Sequence, residues 1–249
     1  MTATIPSRRT RPPARGPMRA ELWTVSAGRV PYLEGVAIQQ RLRAARQAGA
    51  IADTLLLLEH PPVYTKGRRT GPGDLAMGEE WYRAQGIEVA ECDRGGRVTY
   101  HGPGQLVGYP IVAVRDVLGY VRTLERALIA ALADEGLAAE VREGLTGVWV
   151  AEGKIGSIGV HVQRGVTSHG FAVNVDCDLR PFEWIVPCGI DGVRMTSLAR
   201  ETGRPAGGVR CFKRRVAWRL AEELGRRQRL LSVERLLARA DTRAPAVPA

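Results

Sequence analysis

Lysine is almost absent. Only Lys66, Lys154 and Lys213 are lysines among 36 basic residues, in a chain of 249 residues. The positive charge is therefore carried by arginine, which stays protonated and cannot act as a base, whereas a buried lysine can give up its proton. Cysteine is also scarce. Cys92, Cys177, Cys188 and Cys211 form no CxxC pair, which removes both a disulfide framework and a zinc motif. No apolar run approaches the roughly 20 residues that span a bilayer. The most evident run, Leu55 to Leu58, is strand-sized. No apolar segment follows the basic N-terminal residues, so no secretory leader is expected, and reduced thiols in a cytoplasm are. A GxGxxG turn after a strand, a Walker loop, HExxH and GxSxG are all missing. Neither a cofactor nor a metal is expected.

The net charge of +10 points first to nucleic acid, but its distribution argues otherwise. Residues 1–20 carry +5 and residues 203–249 carry +8, so the central 21–202 carry −3. The basic ends lack the interleaved aromatics of a single-strand platform. They read as solubilising or partner-steering segments. Neither nucleic acid nor membrane is an expected partner.

Periodicity outlines one α+β domain, a mixed sheet with flanking helices. The expected division is a disordered basic extension at 1–18, a folded domain at 19–230, and a basic, Ala/Pro-rich tail at 231–249. Within the domain, strands are predicted at 21–25, 53–59, 63–65, 87–92, 106–114, 147–151, 154–163 and 166–176. Helices are predicted from Pro31 to Gly49, over 79–85, from Leu118 to Gly136 and through Phe212, Val216, Leu220 and Leu224, after a Gly/Pro linker at 202–208.

Chemistry concentrates in three places. The stretch Arg94-Gly95-Gly96-Arg97-Val98-Thr99-Tyr100-His101-Gly102-Pro103-Gly104-Gln105 mixes glycine with polar side chains in a way no core element needs. Arg94 and Arg97 suit an anionic ligand, or ion pairs with Glu91 or Asp93. Lys154 lies in Gly153-Lys154-Ile155-Gly156-Ser157-Ile158-Gly159, where glycines on both sides imply close approach of another group. It is either a solvated lysine or a buried one. Cys188 sits between Pro187 and Gly189 in a constrained loop, as a buried structural thiol or, with a cation beside it, as a nucleophile. His161 and His169 read as structural, since no carboxylate accompanies them in sequence. The basic loop Lys66 to Gly73 is either an anion site or a solvated turn.

These blocks together resemble the lipoyl(octanoyl) transferases. The resemblance runs through Glu59-His60-Pro61-Pro62-Val63-Tyr64-Thr65, Gly67-Arg68, Arg94-Gly95-Gly96 to Gly108-Tyr109-Pro110, and Lys154-Ile155 to Ile158-Gly159-Val160. It continues through Thr167, His169-Gly170-Phe171-Ala172, Asn174-Val175, Pro187-Cys188-Gly189 and Thr196-Ser197-Leu198, covering about residues 55–201 in order. Lys66 and Val173 depart mildly from the pattern. The resemblance implies a fold similar to the catalytic domain of biotin and lipoate protein ligases. It implies a Cys–Lys dyad: Cys188 attacks the thioester of an octanoyl-acyl carrier protein and holds the acyl group, while Lys154 favours the thiolate and moves protons. The acceptors would be lysines on lipoyl domains of 2-oxoacid dehydrogenase complexes and on the glycine cleavage H protein. Arg94, Gly95, Gly96, Arg97, Val98, Thr99, Tyr100 and His101 would line the acyl and pantetheine site, completed by Ser157, Ile158, Gly159, Gly170, Phe171 and Ala172. Backbone N–H groups near these glycines would meet the thioester oxyanion.

Overall fold

The computed structural model describes residues 20–151, 153–190, 192–203 and 208–241. The predicted 1–18 extension, the end from 242 and most of the 202–208 linker lie outside them. The apolar runs become strands. β1 (Glu21–Arg29), β2 (Asp53–Glu59), β6 (Gln105–Ile111), β8 (Leu145–Val150), β9 (Gly153–Gln163) and β10 (Val166–Asn174) form most of a nine-stranded sheet. β7 (Glu140–Arg142) and β12 (Arg227–Leu231) are its edges, in the order β12-β1-β2-β6-β10-β9-β8-β7, and β11 (Arg194–Met195) pairs beside the start of β9. The sheet is mixed: β12–β1, β1–β2 and β11–β9 are parallel, the other pairings antiparallel. β9 and β10 are the hairpin announced by Arg164-Gly165, with Ser157 opposite Ala172 and Gly159 opposite Gly170.

Both faces of the sheet are covered, so its central strands are apolar throughout. On one face pack α3 (Val117–Ala133) and α5 (Gly208–Glu223). α3 starts at Asp116, whose Oδ1 accepts the Gly119 N–H at 3.0 Å, and buries Tyr120, Leu124, Leu128 and Leu132. On the other face lie α1 (Tyr32–Gln47) and α6 (Val233–Asp241). A second sheet holds β3 (Val63–Lys66) between β4 (Glu88–Glu91) and β5 (Thr99–His101). With α2 (Glu79–Ala84) and the 3-10 turn Arg180–Trp184 it closes a third apolar cluster.

Two expectations change here. The stretch expected as a tail from 231 holds the last residue of β12 and then α6, which buries Leu236 and Ala240 against the cluster of β1 and α1. Buried Asp53 helps fix this end: it accepts from Arg46 at 2.7 Å and from Arg226 at 2.7 Å, so the chain just before β12 is tied to β2 and α1. The predicted loop 94–105 is also less open than expected, since β5 lies within it and residues 98–101 are buried.

Candidate active site

Lys154 sits near the start of β9 and is 1 % exposed. Its Nζ donates to the Thr146 carbonyl at 3.0 Å and lies 5.4 Å from the centre of the Trp149 ring, so its contacts are a carbonyl dipole and an aromatic face. The side chain passes Gly147, where φ is +128° and a Cβ would stand 2.8 Å from Lys154 Cε and 2.5 Å from the Gly156 oxygen. Only glycine fits there. The Gly147 N–H donates to Glu125 Oε1 at 3.1 Å, and Glu125, buried on α3, pairs with Arg122 at 2.6 Å. One peptide group, the carbonyl of Thr146 with the N–H of Gly147, thus lies between the lysine and a buried carboxylate. Nothing in the sequence announces Glu125, because its partner is set by the crossing of α3 over β8.

Cys188 is held differently. It occupies the middle of a 3-10 turn, Pro187–Gly189, with φ 58° and ψ 12°. A left-handed conformation of this kind at a non-glycine residue costs about 1 kcal/mol or more and persists only where surroundings impose it. Here the Cys188 N–H donates to the Val98 carbonyl at 2.9 Å, and Val186 N–H to the Asp74 carbonyl at 3.2 Å. Cys188 Sγ is half-buried and lies 3.9 Å from Ser157 Oγ. The other cysteines stand apart. Cys177 is buried, and burial pushes its thiol up to about 12. Cys92 donates to the Lys66 carbonyl at 3.2 Å, and Cys211 is exposed on α5.

Lys154, Ser157 and Cys188 face one cavity of about 280 Å³. It runs between the large sheet and the loop that carries β5. Every predicted site residue lines it except Val98 and Tyr100. Strand alternation explains the exception: in β5, Thr99 and His101 point to the cavity, while Val98 and Tyr100 point into the third apolar cluster with Tyr64, Tyr82 and Phe182. Tyr109, within the resembling block, also lines the cavity, as do Tyr32, Val121 and Leu145 from elements with no sequence signal for it.

Residues 31–218 match the family described as the lipoyl protein ligase A/B catalytic domain. Curated octanoyltransferases are similar along most of the chain. One from Rubrobacter xylanophilus is 52% identical over 188 residues, 73% of this chain and 85% of that protein. One from Acidobacterium capsulatum is 48% identical over 191 residues, 70% of this chain and 78% of that protein. The chain belongs to this family, and within it to the octanoyltransferases. At the level of fold alone, a bi-partite lipoate protein ligase from Thermoplasma acidophilum aligns with TM-score 0.69 at 18% identity, over 90% of this chain and 91% of that one. A biotin protein ligase from Aquifex aeolicus in complex with biotin and ATP aligns with TM-score 0.51 at 16% identity, over 82% and 70%. The expected α+β architecture, similar to these ligases, is therefore the one observed.

In this member of the octanoyltransferase family, several residues that line the cavity also hold the scaffold around it. Arg94 is buried and donates to the carbonyls of Gly95 (3.1 Å), Arg97 (2.8 Å) and Thr65 (2.6 Å) and to Thr65 Oγ1 (2.7 Å). It pairs neither with Glu91 nor with Asp93; its guanidinium folds the loop on itself. Gly159 and Gly170 serve close packing of backbone: a Cβ would lie 2.9 Å from the Gly95 oxygen in the first and 2.3 Å from the Gly108 oxygen in the second. In the basic loop, Lys66 is engaged by Glu79 and Glu91, and Arg69 reaches the cavity.

His101 is held by a directed chain. Its Nδ1 donates to Gln105 Oε1 at 2.7 Å, and Gln105 Nε2 donates to Asn174 Oδ1 at 2.9 Å. Burial, then the neighbouring His60, holds His101 well below the usual histidine range, so it is a neutral ring. A carboxylate does accompany the other histidines: Asp93 Oδ1 lies 2.6 Å from His169 Nε2, and Asp93 Oδ2 lies 3.7 Å from His161 Nε2. Tertiary contact supplies what sequence adjacency did not show. Among the described residues, no group of three or more His, Cys or acidic side chains is arranged so that it could hold a metal ion.

Proposed function

We propose that this chain transfers an octanoyl group from an acyl-carrier-protein thioester to a lysine of a lipoyl domain, through a thioester on Cys188. The supporting observation is that the half-buried Cys188 and the buried Lys154 open onto the same cavity, although 34 residues separate them in sequence. The Cys188 sulfur, its proton taken by Lys154, attacks the donor carbonyl. The carbon–sulfur bond to the pantetheine breaks, and that thiol leaves with a proton. The acceptor amine then attacks the Cys188 thioester, an amide forms, and the Cys188 sulfur is released and reprotonated. A lysine is suited to both proton transfers, an arginine to neither. Val107, Ile158, Phe171 and Ile190 give the acyl chain apolar walls.

Thioester to amide is downhill, so no nucleotide is needed. The N–H groups of Cys188, Gly189 and Ile190 are already donated to Val98, Val186 and Pro187, so the turn itself does not provide the oxyanion donors. The acceptors are the lipoyl domains of 2-oxoacid dehydrogenase complexes and the glycine cleavage H protein. A cytoplasmic setting keeps the thiols free. Among the described residues no helix is long and apolar enough to cross a membrane. The test is mass spectrometry after incubation with octanoyl-acyl carrier protein and no ATP. An octanoyl adduct on the Cys188 peptide is expected, discharged on addition of a lipoyl domain with the acyl group appearing on its lysine. Active protein that never carries the adduct would sink the covalent route, and a strict need for ATP would indicate a ligase.

A further inference from the structure

The resemblance implies that Arg97 binds substrate. Its side chain is already committed. Asp74, a carboxylate 1 % exposed, takes Arg97 Nε on Oδ2 at 2.9 Å and Arg97 Nη2 on Oδ1 at 2.7 Å. The Gly71 N–H adds a third donor, to Oδ2 at 2.9 Å. A two-pronged pair of this kind fixes the plane of the guanidinium as well as its position. The fixed side chain lies against Gly189, next to Cys188. A Cβ on Gly189 would stand 2.1 Å from Arg97 Cδ, 2.6 Å from Nη1 and 2.7 Å from Nε. The contact exists only because residue 189 is glycine.

The same two stretches also hold the turn through their backbones. The Asp74 carbonyl accepts from Val186 N–H, and the carbonyl of Val98, the neighbour of Arg97, accepts from Cys188 N–H. Cys188 and Gly189 are both left-handed, at φ 58° and 68°. Glycine takes this conformation without cost, but Cys188 needs outside restraint, and the restraints visible here converge on Asp74 and on Arg97-Val98.

We propose that Asp74 and Arg97 are positioning residues that hold the Cys188 turn through Gly189, and that Arg97 is not a ligand of the substrate. This rests on Cys188 being the nucleophile. Releasing the clamp lets the turn relax, so that the sulfur no longer sits beside Ser157 facing Lys154. A displacement of about 1 Å at a reacting atom can cost about 100-fold in rate.

The experiment compares Arg97→Met, Arg97→Lys, Asp74→Asn and the Arg97→Met/Asp74→Asn double variant. Steady-state constants with octanoyl-acyl carrier protein are measured together with the single-turnover rate of Cys188 acylation and thermal stability. Each single variant is expected to lower kcat and the acylation rate between about 10- and 100-fold, with KM changed less than about twofold. The double variant is expected to be no slower than the slower single one, because both remove one clamp. Arg97→Lys is expected to recover only part of the rate, since an ammonium cannot form the fork. Where Asp74→Asn unfolds the protein, Arg97→Met carries the test, its site being partly solvent-exposed. A raised KM in Arg97→Met with normal constants in Asp74→Asn would make Arg97 a substrate ligand and overturn the proposal. Lower melting temperatures with unchanged rates per folded molecule would overturn it as well. Absence of any Cys188 adduct on the wild-type protein would instead overturn the nucleophile reading on which it rests.

Discussion

The two walls of the cavity hold the two groups proposed to react by opposite means. Lys154 belongs to the sheet wall. It is 1 % exposed, flanked by β8 and β11, and packed past a bare glycine against Trp149. Cys188 belongs to the loop wall. It is half-buried, in a strained turn outside both sheets, and kept there by a few polar ties. Packing fixes the first and directed hydrogen bonds fix the second. In the proposed mechanism the proton carrier needs a dry, constant environment, whereas the nucleophile must be reachable by two large partners in turn. The sheet wall should therefore fail through volume changes and the loop wall through loss of single contacts.

The largest effects should come from the two residues proposed to react. Cys188→Ala is expected to lower transfer about 10⁴-fold or more, with little change in stability, because alanine removes the sulfur and leaves the ties of the turn in place. Lys154→Arg is expected to lower transfer about 100-fold or more despite keeping the charge. It should also destabilise the fold by about 1–3 kcal/mol, since the larger head group must fit between Gly147 and Trp149. Denaturant titration beside activity separates the two cases. A Lys154→Arg protein of normal stability and near-normal rate would mean that the wall is loose and that the residue serves only as a positive charge.

The same contrast explains what could be read from the sequence. The strands and helices of the large sheet were legible because period and burial agree over long runs: β2 is buried along nearly its whole length, and α3 shows a clear apolar stripe. Cys188 and Lys154 stood out by residue type and flanking glycine or proline, and the family pattern joined them. Asp74 and Glu125 were not legible. Each is a buried acid whose partner, Arg97 or the Gly147 N–H, is more than 20 residues away and is delivered by a tertiary crossing. The family pattern includes Val98 and Tyr100 in the site because they lie inside a contiguous block. Only the course of β5 shows that alternate residues face away. β12 carries no strand signal because Arg227-Gln228-Arg229-Leu230-Leu231 has no alternation. It is an edge strand, exposed enough that charge is tolerated in it.

A smaller effect should follow from acid. Burial drives His60 down to about 4, against about 6.5 for an exposed histidine. Above about pH 6.5 both folded and unfolded chains carry a neutral ring, so this stability is fully present. Between about 6.5 and 4 the unfolded chain binds the proton first, and stability falls by roughly 3 kcal/mol from this residue alone. His101, whose ring centre lies 5.7 Å from that of His60, is depressed in the same direction. Since His101 lies in β5, acid should loosen the loop wall before the sheet wall. Hydrogen exchange at pH 5 against pH 7 is expected to rise more over residues 98–101 than over 154–158. Equal increases would remove the distinction between the walls.

The smallest effect probes the point where the walls touch. Ser157, on β9, places its Oγ 3.9 Å from Cys188 Sγ. A contact at that distance to sulfur is weak, and it is not among the ties that fix the turn, which are made by Val98 and Asp74. If the loop wall is positioned by its own ties, Ser157→Ala should cost no more than about threefold in kcat, close to 0.6 kcal/mol. Stability should stay unchanged, because a small half-buried hydroxyl is replaced without leaving a buried partner unsatisfied. A loss near 100-fold would show that the sheet wall places the sulfur directly, and the contrast between a packed wall and a tethered one would then fail at the atom where the two meet.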